Sequence, residues 1–438
     1  MTKSPGEMDL ASFARQLASL GCHRLFAKRL SPNDNSKNQV YLGPGFDALQ
    51  RLPNRGVRAD VRTGRSNFKA ALDFSWLTPG GLAAPAPHAV LILYPQYPEV
   101  RLSGFLRGCE AAPTALMTSR EEGRILFLGT RIDGGIVAHV VGAGSLLAKQ
   151  FLASRLGADG PMLEEVQLEQ STGRHALVAE LARIRSLGWI EGARLGPTGR
   201  RPCTARNCAG YTLEAELGIV MNGEAAPDYR GWEVKAIAAS GRQAGQSSKP
   251  VTLLTPEPDG GYYHQHGARR FVVHYGYADR NGVAGRINFG GRHLAGRTCK
   301  SSNLTLRVRG FDAGAGKIVA ADGAVQLESS TGDVAASWSF EKVLSHWSKK
   351  HAQAAYVAYQ VDKTGARRYR YGEAVGFGEG TTPIRFLAAL AAGDVYYDPA
   401  LKVVDSEGES SSKARNQFRV PIRSLGALYE GFEWSEVG

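Results

Sequence analysis

Residues 227–235 read Pro-Asp-Tyr-Arg-Gly-Trp-Glu-Val-Lys, a short stretch that places acidic groups next to a lysine. Alternate residues of a β-strand point to the same face of the sheet. We therefore expect Glu233 and Lys235 to project together, and Trp232 and Val234 to point to the opposite side. The stretch predicts a strand that carries a carboxylate and an ammonium group in one small space.

Asp228 stands just before this strand, and the Arg230-Gly231 pair allows the chain to turn between them. The carboxylate of Asp228 can then return over the face that carries Glu233. Two carboxylates this close repel each other unless a cation lies between them. Mg²⁺ takes oxygen ligands and leaves positions for water and a phosphate oxygen, so Asp228 and Glu233 are predicted metal ligands. Lys235 would orient or deprotonate the attacking water, or neutralise charge that builds on the phosphorus oxygens.

The pattern is short, and the alternative interpretation is an edge strand with a solvated salt bridge. The surrounding sequence favours a catalytic role, because Glu214 stands fourteen positions before Asp228, in Tyr-Thr-Leu-Glu-Ala-Glu-Leu-Gly-Ile. Leu213, Leu217 and Val220 recur there at helical spacing, which predicts a helix that brings a third acid towards the metal. Glu216 lies about 200° away around that helix and is expected to be solvated.

The run 210–235, GYTLEAELGIVMNGEAAPDYRGWEVK, resembles the active-site segment of the MvaI/BcnI restriction endonucleases and of their mismatch-repair nicking relative MutH. In that family the acid of a TLE-like helix, the Asp of PD, and the Glu and Lys of an E-x-K strand form the catalytic centre. By matching position, the resemblance implies that the catalytic residues are Glu214, Asp228, Glu233 and Lys235. It extends over roughly residues 175–438, through segments at 248–261, at Trp338 and at Gln417.

One segment departs from the family pattern. Family members often carry a His-Gly-Thr-x-Phe-Arg-like stretch near the C-terminus that reads bases, whereas residues 411–419 read Ser-Ser-Lys-Ala-Arg-Asn-Gln-Phe-Arg and lack the histidine. Arg and Lys pair with guanine in the major groove, and Asn and Gln pair with adenine. The predicted base-reading residues are Lys413, Arg415, Asn416 and Gln417. The alternative is a solvated basic loop.

The sequence predicts two domains, since 438 residues exceed the size at which one core usually keeps growing. A turn-rich break at 157–161 marks the boundary. We expect an N-terminal domain at 1–160, a linker at 161–174 and a catalytic domain at 175–438. The first domain shows apolar or alternating strands at 90–94, 124–128 and 136–141, and helices at 10–20 and 146–156 only.

The N-terminal domain has a resemblance of its own. Residues 25–34 and 38–42 resemble the opening of the DNA-binding pseudobarrel that forms the effector domain of EcoRII, in which two arms enter the major groove. The first arm would carry Lys28, Arg29, Asn33, Asn35 and Gln39. The second arm, in the loop after strand 90–94, would carry Gln96, Tyr97, Glu99, Arg101, Ser103 and Arg107. The alternative for each residue is an ordinary polar loop.

The C-terminal domain mixes helices and strands after an amphipathic helix at 173–187. Thr382, Pro383 and Gly393 are typical of a helix N-cap, first turn and C-terminus, and 333–351 is expected to contain another helix, followed by a strand at 355–361. The fold class is therefore an all-β DNA-binding pseudobarrel followed by an α/β PD-(D/E)xK nuclease core of the MutH-like type, with a mixed sheet flanked by helices.

Charge, hydropathy and cysteine usage restrict the class of protein. The net charge of +12 divides into +7 for residues 1–160 and +5 for the remainder, which suits a polyanionic partner such as DNA. No run of about 18 apolar residues and no signal pattern is present, so we expect a cytoplasmic protein that does not engage membranes.

The odd number of cysteines, without a C-x-x-C pair, predicts reduced thiols at Cys22, Cys109, Cys203, Cys208 and Cys299. A zinc site from Cys203 and Cys208 with His264 and His266, in a Tyr-Tyr-His-Gln-His loop, fits no common finger spacing.

The two resemblances together imply a type IIE-like type II restriction endonuclease. Such an enzyme would hydrolyse double-stranded DNA with Mg²⁺ at a short GC-rich pseudopalindrome of CC-N-GG type. It would act as a monomer by sequential nicking, bind a second DNA copy through its N-terminal domain, and have a cognate DNA methyltransferase in the cell. Two alternatives remain: a MutH-like repair nickase, and a DNA-binding regulator with a vestigial nuclease core. No Gly-rich nucleotide loop or Ser/His/Asp arrangement supports a metabolic enzyme.

Overall fold

The chain divides into two units, Met1–Thr172 and Gly173–Gly438, in a computed structural model. The structure describes residues 8–32, 38–44, 46–60, 67–131, 133–153, 162–166, 173–205, 207–220, 229–239, 249–350, 353–406 and 409–437. The division falls within the segment where the sequence predicts a linker.

Unit 1 is built mainly from strands. Its described helices are α1 (Leu10–Ser19), α2 (Asp47–Arg51), α3 (Thr114–Thr118) and α4 (Leu146–Ala153). Its described strands are β1 (Cys22–Arg29), β2 (Val40–Pro44), β3 (Val57–Asp60), β4 (Asn67–Ala71), β5 (Asp73–Leu77), β6 (Ala83–Pro85), β7 (Val90–Tyr94), β8 (Glu99–Ser103), β9 (Ile125–Arg131), β10 (Gly135–Val141) and β11 (Glu164–Glu165). They form two sheets, in the orders β11-β1-β9-β10-β5-β6 and β2-β8-β7-β4-β3.

The core of unit 1 forms where α1 and α4 cover the larger sheet. The side chain of Asp9 caps α1 by accepting a hydrogen bond of 2.7 Å from the backbone N–H of Ser12. The capped helix then buries Phe13 completely, and its ring meets that of Phe127 from β9 edge to face. Phe151 of α4 packs on the same ring. Burial of this aromatic cluster stabilises the sheet face.

The sequence predicts most of these elements. The strand at 90–94 is confirmed, and the strands expected at 124–128 and 136–141 are found at Ile125–Arg131 and Gly135–Val141. Helices α1 and α4 are also confirmed; residues 154–156, where the second was expected to end, lie outside the described residues. The two five-residue helices α2 and α3 were not predicted, because so short a helix shows no apolar periodicity.

Unit 2 mixes helices and strands, as the sequence predicts. Its described helices are α5 (Gly173–Ser186), α6 (Cys208–Glu216), α7 (Gly261–Tyr275), α8 (Phe340–Lys350) and α9 (Pro383–Ala392), with a 3-10 helix at Ile422–Leu428. Its described strands are β12 (Ile190–Glu191), β13 (Ala193–Gly196), β14 (Gly199–Pro202), β15 (Glu233–Ala238), β16 (Val251–Leu254), β17 (Tyr277–Ala278), β18 (Arg286–Gly290), β19 (Thr305–Arg309), β20 (Phe311–Asp312), β21 (Lys317–Ile318), β22 (Ala324–Glu328), β23 (Val334–Ser339), β24 (Gln353–Asp362), β25 (Arg368–Glu379), β26 (Tyr396–Tyr397), β27 (Ala400–Ser406), β28 (Glu409–Lys413), β29 (Phe418–Val420) and β30 (Gly431–Ser435).

The central sheet of unit 2 has the order β12-β25-β24-β15, and β30 also pairs with β25. It is mixed, because β15 runs parallel to β24 while β24 and β25 are antiparallel. Helix α5 covers one face with Leu177, Leu181 and Ile184, each fully buried as its apolar spacing predicts. Smaller sheets complete the unit, in the orders β16-β29-β26, β17-β18-β27-β28 and β19-β22-β23, with the pairs β13-β14 and β20-β21.

The segment 333–351 contains the expected helix, but its first part is strand β23. The switch occurs at Ser339, whose hydroxyl accepts a hydrogen bond from the backbone N–H of Lys342 in the first turn of α8. The same hydroxyl donates to the carboxylate of Asp259 at 2.6 Å. This cap sets the start of the helix, and the apolar residues before it are buried as a strand.

The cysteine prediction is wrong in part. Cys203 and Cys208 form a disulfide with their Cα atoms 5.8 Å apart, whereas Cys22, Cys109 and Cys299 are free. The pair forms because β14 ends at Pro202 and α6 begins at Cys208, so a short loop brings both residues within bonding range. Their sulfur atoms are bonded to each other, which removes them from the zinc site considered above.

No helix among the described residues combines the length and apolar character needed to span a membrane.

The predicted cap of α9 is confirmed and can be tested. Thr382 Oγ1 accepts a hydrogen bond of 3.1 Å from the N–H of Arg385, Pro383 opens the helix, and Gly393 ends it in the left-handed conformation. Thr382→Ala and Thr382→Ser both lose the methyl group, so their difference isolates the cap. We expect the alanine variant to be less stable than the serine variant by about 1 kcal/mol.

Urea denaturation followed by tryptophan fluorescence measures this difference. Five of the six tryptophans lie in unit 2, and the ring of Trp347 rests on Phe386 of α9 at 4.5 Å. Equal midpoints for the two variants would show that the hydroxyl does not stabilise the helix.

Candidate active site

A tight hairpin precedes strand β15. The backbone groups of Tyr229 and Trp232 exchange hydrogen bonds of 2.9 and 2.8 Å, with Arg230 and Gly231 at the tip. Both tip residues have positive φ, 45° and 88°. Two central residues with positive φ characterise a type I′ turn, the connection whose twist matches paired antiparallel strands. The turn predicted at Arg230-Gly231 is therefore confirmed.

Glu233 and Lys235 lie on the same face of β15, as the alternation predicts. Lys235 Nζ is 2.7 Å from Glu233 Oε1. The carboxylate side chain is 5% exposed and the lysine side chain 18%, so this ion pair is largely buried. It differs from the solvated surface salt bridge that was the alternative interpretation.

The opposite face of β15 belongs to the hydrophobic core. Trp232 and Val234 are 2% and 6% exposed and pack in the cluster that includes Leu177 and Leu213. The ring of Trp232 meets Phe377 edge to face at 5.5 Å. A slip of one residue would exchange the two faces, so burial of these apolar side chains fixes which face carries the charged pair.

Helix α6, which carries Glu214, contacts this strand. The hydroxyl of Thr212 is fully buried and bonds both backbone groups of Ala193 in β13, at 3.0 Å to the N–H and 3.2 Å to the carbonyl. Leu213, the next residue, is in the core beside Val234. The anchored threonine and buried leucine fix the rotation of the helix and hence the position of Glu214, which is half-buried.

The solvated role expected for Glu216 is wrong. Its side chain is 9% exposed, and Oε1 lies 2.6 Å from NH2 of Arg200 in β14. The hairpin β13-β14 packs along α6, so a residue on the far side of the helix meets a second element instead of water.

Two buried tyrosines lie behind the charged pair. Tyr356 is in register with Lys235 on β24, and its hydroxyl is 2.7 Å from the hydroxyl of Tyr429. Burial raises the pKa of Tyr356 to about 12, with smaller opposing effects from Lys235 and Glu233. Burial also holds the pKa of Tyr429 well above its usual value. Both hydroxyls therefore stay neutral, and they offer a polar but uncharged wall to the ion pair.

The sequence carries a signal for this packing. Gly376 and Gly378 alternate near the end of β25 and leave one face of this part of the strand without side chains, and Gly380 follows the strand. A Cβ at Gly378 would lie 2.6 Å from the ring of Tyr429, and one at Gly376 would lie 2.9 Å from Phe432. Alternating glycines in a strand indicate the close approach of another group, here the ring that supports the site.

Asp228 lies outside the described residues. Across the ranges that the structure describes, no three His, Cys, Asp or Glu side chains come together to hold a metal ion. The structure thus brings together Glu233 and Lys235 and places the Glu214 helix beside them.

The predicted base-reading segment connects β28 to β29. Arg415 is exposed, and Gln417 is half-buried, with its Oε1 accepting a 3.3 Å hydrogen bond from Thr252. The side chain of Lys413 lies outside the described residues. Asn416 is only 1% exposed, and both ends of its amide are hydrogen-bonded to buried tyrosines. The expectation that Asn416 is displayed to DNA is therefore wrong for this conformation, because the amide is used inside the fold.

The first predicted DNA-binding arm is only partly at the surface. Lys28 is 3% exposed because β1 is flanked on both sides by other strands, and burial lowers its pKa to about 8. Its expected exposure to DNA is wrong in this conformation. Arg29 is exposed and lies 3.6 Å from Glu122, whereas Asn33 and Asn35 are outside the described residues.

The second predicted arm is a hairpin and a strand rather than a loop. Gln96 and Tyr97 form the exposed turn after β7, and Arg107 is exposed further on. Glu99, Arg101 and Ser103 share one face of β8, whose other face is buried. The two arms meet, because Arg101 NH1 donates to Gln39 Oε1 at 3.3 Å while its Nε donates to Glu99 at 2.9 Å. A strand places these side chains in a fixed row.

The Tyr-Tyr-His-Gln-His segment is helical rather than a loop. It forms the start of α7, which is kinked at Gly267. The rings of Tyr262 and His266 lie 4.2 Å apart, and His264 is exposed.

A mixed sheet with a buried Glu-Lys pair on its edge strand is compatible with a nuclease, and comparison with known proteins identifies the class of protein. The family model described as the MvaI/BcnI restriction endonuclease family matches residues 178–429. The chain belongs to this family. It is a type II restriction enzyme, a site-specific deoxyribonuclease that binds DNA, and unit 2 carries the MvaI-like nuclease fold. Among curated proteins, none matches the chain.

Two solved structures are similar to this chain. One is restriction endonuclease MvaI in complex with cognate DNA, with 17% identity and a TM-score of 0.44, covering 62% of this chain and 100% of that one. The other is MvaI in the absence of DNA, with 16% identity and a TM-score of 0.34, covering 61% of this chain and 99% of that one.

The tyrosine pair behind the site can be tested with a double-mutant cycle. Tyr356→Phe or Tyr429→Phe alone leaves one buried hydroxyl without its partner, and we expect each to lower the free energy of unfolding by about 1–3 kcal/mol. The double variant removes both hydroxyls together. Its cost should be smaller than the sum of the single costs, as measured by urea denaturation. Additive costs would show that the two hydroxyls do not interact.

Proposed function

We propose that this enzyme hydrolyses DNA with Mg²⁺ at a short GC-rich pseudopalindrome of CC-N-GG type, acting as a monomer that nicks the two strands in succession. The observation that carries the proposal is the buried Glu233–Lys235 pair directly after a type I′ hairpin. The proposed catalytic residues are Glu214, Asp228, Glu233 and Lys235.

The hairpin supports a role for Asp228. Tyr229 is paired with Trp232. In the sequence Asp228 directly precedes Tyr229, and Glu233 directly follows Trp232. Two carboxylates brought close together are mutually unfavourable without a cation, which fits the use of these two residues as ligands.

The donor set suits Mg²⁺, because carboxylate oxygens are its preferred protein ligands. Asp228 and Glu233 would hold the ion, with Glu214 approaching from α6. When bound, the ion would polarise a phosphate oxygen and lower the pKa of water. Lys235 has its own role, because its Nζ is held 2.7 Å from Glu233 Oε1 on a side chain that is 18% exposed. It would donate to the scissile phosphate and orient the attacking water.

One set of catalytic residues per chain implies one cut at a time. A monomer must therefore release or reorient the duplex between the two strands. A nearly palindromic site permits this, because the second strand then presents almost the same bases to the same protein surface.

Unit 1 is proposed to bind a second copy of the site as an EcoRII-like effector pseudobarrel. This proposal is supported by the row of polar side chains on β8 and by Gln39, which accepts a hydrogen bond from Arg101 of that strand. Tyr97 precedes the strand in sequence, and Arg107 follows it. Tyr97 is 74% exposed at the hairpin tip, so its ring is accessible to a DNA partner. The enzyme would act in the cytoplasm beside a cognate DNA methyltransferase.

The role of Asp228 is tested by Asp228→Ala. We expect cleavage to fall by at least about 10³-fold because a metal ligand is lost, while specific binding to the cut site is kept because the base-reading segment is intact. Plasmid cleavage in Mg²⁺ and gel-shift binding in Ca²⁺ measure the two properties. Asp322→Ala, at an exposed aspartate of the same unit, is the matched control. Full Mg²⁺-dependent cleavage by the Asp228 variant would refute the assignment.

Sequential nicking is tested on supercoiled plasmid that carries one site. With the protein shown to be monomeric on DNA by light scattering, we expect open-circular DNA to rise first and then convert to linear DNA. Lys235→Ala should slow both steps alike, since one centre performs both. Direct conversion of supercoiled to linear DNA by a monomer would contradict the mechanism, and persistent open circles would indicate a nickase.

A further inference from the structure

A chain of hydrogen bonds runs through unit 2 and ends on an exposed carboxylate. The hydroxyl of Tyr397 donates to Asn416 Oδ1 at 2.6 Å, and Asn416 Nδ2 donates to the hydroxyl oxygen of Tyr263 at 3.2 Å. The hydroxyl of Tyr263 donates to Glu257 Oε2 at 2.5 Å. Tyr397 and Asn416 are buried, whereas Glu257 is exposed. Every donor points the same way, so the chain fixes the carboxylate and engages one of its two oxygens.

The backbone on both sides of Glu257 is also held. Trp338 Nε1 donates to the carbonyl of Pro256 at 2.9 Å, and the N–H of Asp259 donates to Ser337 in β23 at 2.9 Å. The carboxylate of Asp259 accepts from the N–H of Ser339 at 2.8 Å. Glu257 is therefore a preorganised acidic group on a rigid support, unlike an ordinary surface glutamate with free rotamers.

This carboxylate lines a cavity of about 850 Å³ together with the proposed base-reading segment. Its lining includes Thr255, Glu257, Arg415 and Gln417, whose side chains provide both hydrogen-bond acceptors and donors. Asn416 also lines the cavity, and its amide nitrogen donates to Tyr263, which in turn donates to Glu257.

The same cavity touches the helix of the proposed catalytic site. Asn207 lines it and precedes α6, which carries Glu214 seven residues later. Seven residues of α-helix span about 10 Å. This length corresponds to about three base-pair steps of B-DNA, so a base in the cavity would lie close to the scissile phosphate.

We propose that Glu257 is a specificity-determining residue whose free Oε1 accepts a hydrogen bond from the 4-amino group of a cytosine in the target site. An ionised carboxylate has only acceptors. In the major groove cytosine presents a donor, whereas guanine O6 and thymine O4 present acceptors that the carboxylate repels. The inference rests on the proposal that residues 413–417 read bases, and it adds Glu257 as a further base-reading residue in the same cavity.

Glu257→Gln tests the assignment in the full-length enzyme. The glutamine side chain keeps an acceptor for Tyr263 but turns an amide donor towards the cavity. A plasmid library with a randomised site, sequenced at the cut ends, gives the preference at every position for each variant. We expect the preference for cytosine at one position to fall by about 5- to 150-fold, with the other positions unchanged. Glu436→Gln, at an exposed glutamate of the same unit, should leave every position unchanged.

A modified DNA substrate provides a second test of the assignment. In a synthetic duplex that contains the site, each cytosine is replaced in turn by the 2-pyrimidinone nucleoside, which lacks the 4-amino group. At one position this replacement should lower the cleavage efficiency of the wild-type enzyme by about 5- to 150-fold. The same replacement should not lower the cleavage efficiency of the Glu257→Gln variant any further. Tyr263→Phe should weaken preference at this position only, since it frees the carboxylate without removing it.

The outcomes separate the two levels of the proposal. A wild-type enzyme that cuts at no defined site overturns both the proposed function and this inference. A wild-type enzyme with a defined site and an unchanged profile in Glu257→Gln, or a change confined to adenine, overturns the role of Glu257 alone. A uniform loss of cleavage with the same base preferences, in a variant whose thermal melting matches wild type, would assign Glu257 a structural role and also overturn the inference.

Discussion

The ion pair between Glu233 and Lys235 depends on which face of one edge strand is buried. The two side chains lie 2.7 Å apart because Trp232 and Val234, which alternate with them, are locked in the core of unit 2. Burial of a large aromatic side chain contributes several kcal/mol, far more than a surface ion pair does. The hydrophobic face therefore sets the register, and the charged face follows. The type I′ hairpin then fixes where the preceding chain lies relative to this face.

Other elements of unit 2 support the site. Thr212 anchors α6 to β13, so the rotation of the helix that carries Glu214 is fixed by a buried hydroxyl. Behind the ion pair, the hydroxyls of Tyr356 and Tyr429 are close to the charges but remain neutral because burial raises their pKa. The start of α6 also borders the cavity lined by Glu257 and Arg415. The proposed catalytic and base-reading residues would thus share one scaffold, in which helix α6 connects the two proposed sites.

Several expectations failed where a side chain that looked available is used inside the fold. Lys28 and Asn416 are of the residue types that contact DNA, yet Lys28 is enclosed between strands and Asn416 bridges two tyrosines. Glu216 was expected in solvent and instead pairs with Arg200. Cys203 and Cys208 were expected to be reduced and instead form a bond. For Lys28, Asn416 and Glu216 the surrounding groups come from other elements, so the local sequence pattern gave no indication of them.

The amino-acid sequence alone determined the features that depend on near neighbours. These are the turn at Arg230-Gly231, the shared face of Glu233 and Lys235, the cap at Thr382, and the motif that implied the nuclease family. Such features follow from φ preferences and strand or helix periodicity within a few residues. Only the tertiary structure decided the pairing of Tyr356 with Tyr429 and the hydrogen-bond chain from Tyr397 to Glu257. Most of these contacts join residues far apart in the chain, and they form because close packing of the whole unit brings their buried polar groups within hydrogen-bonding range.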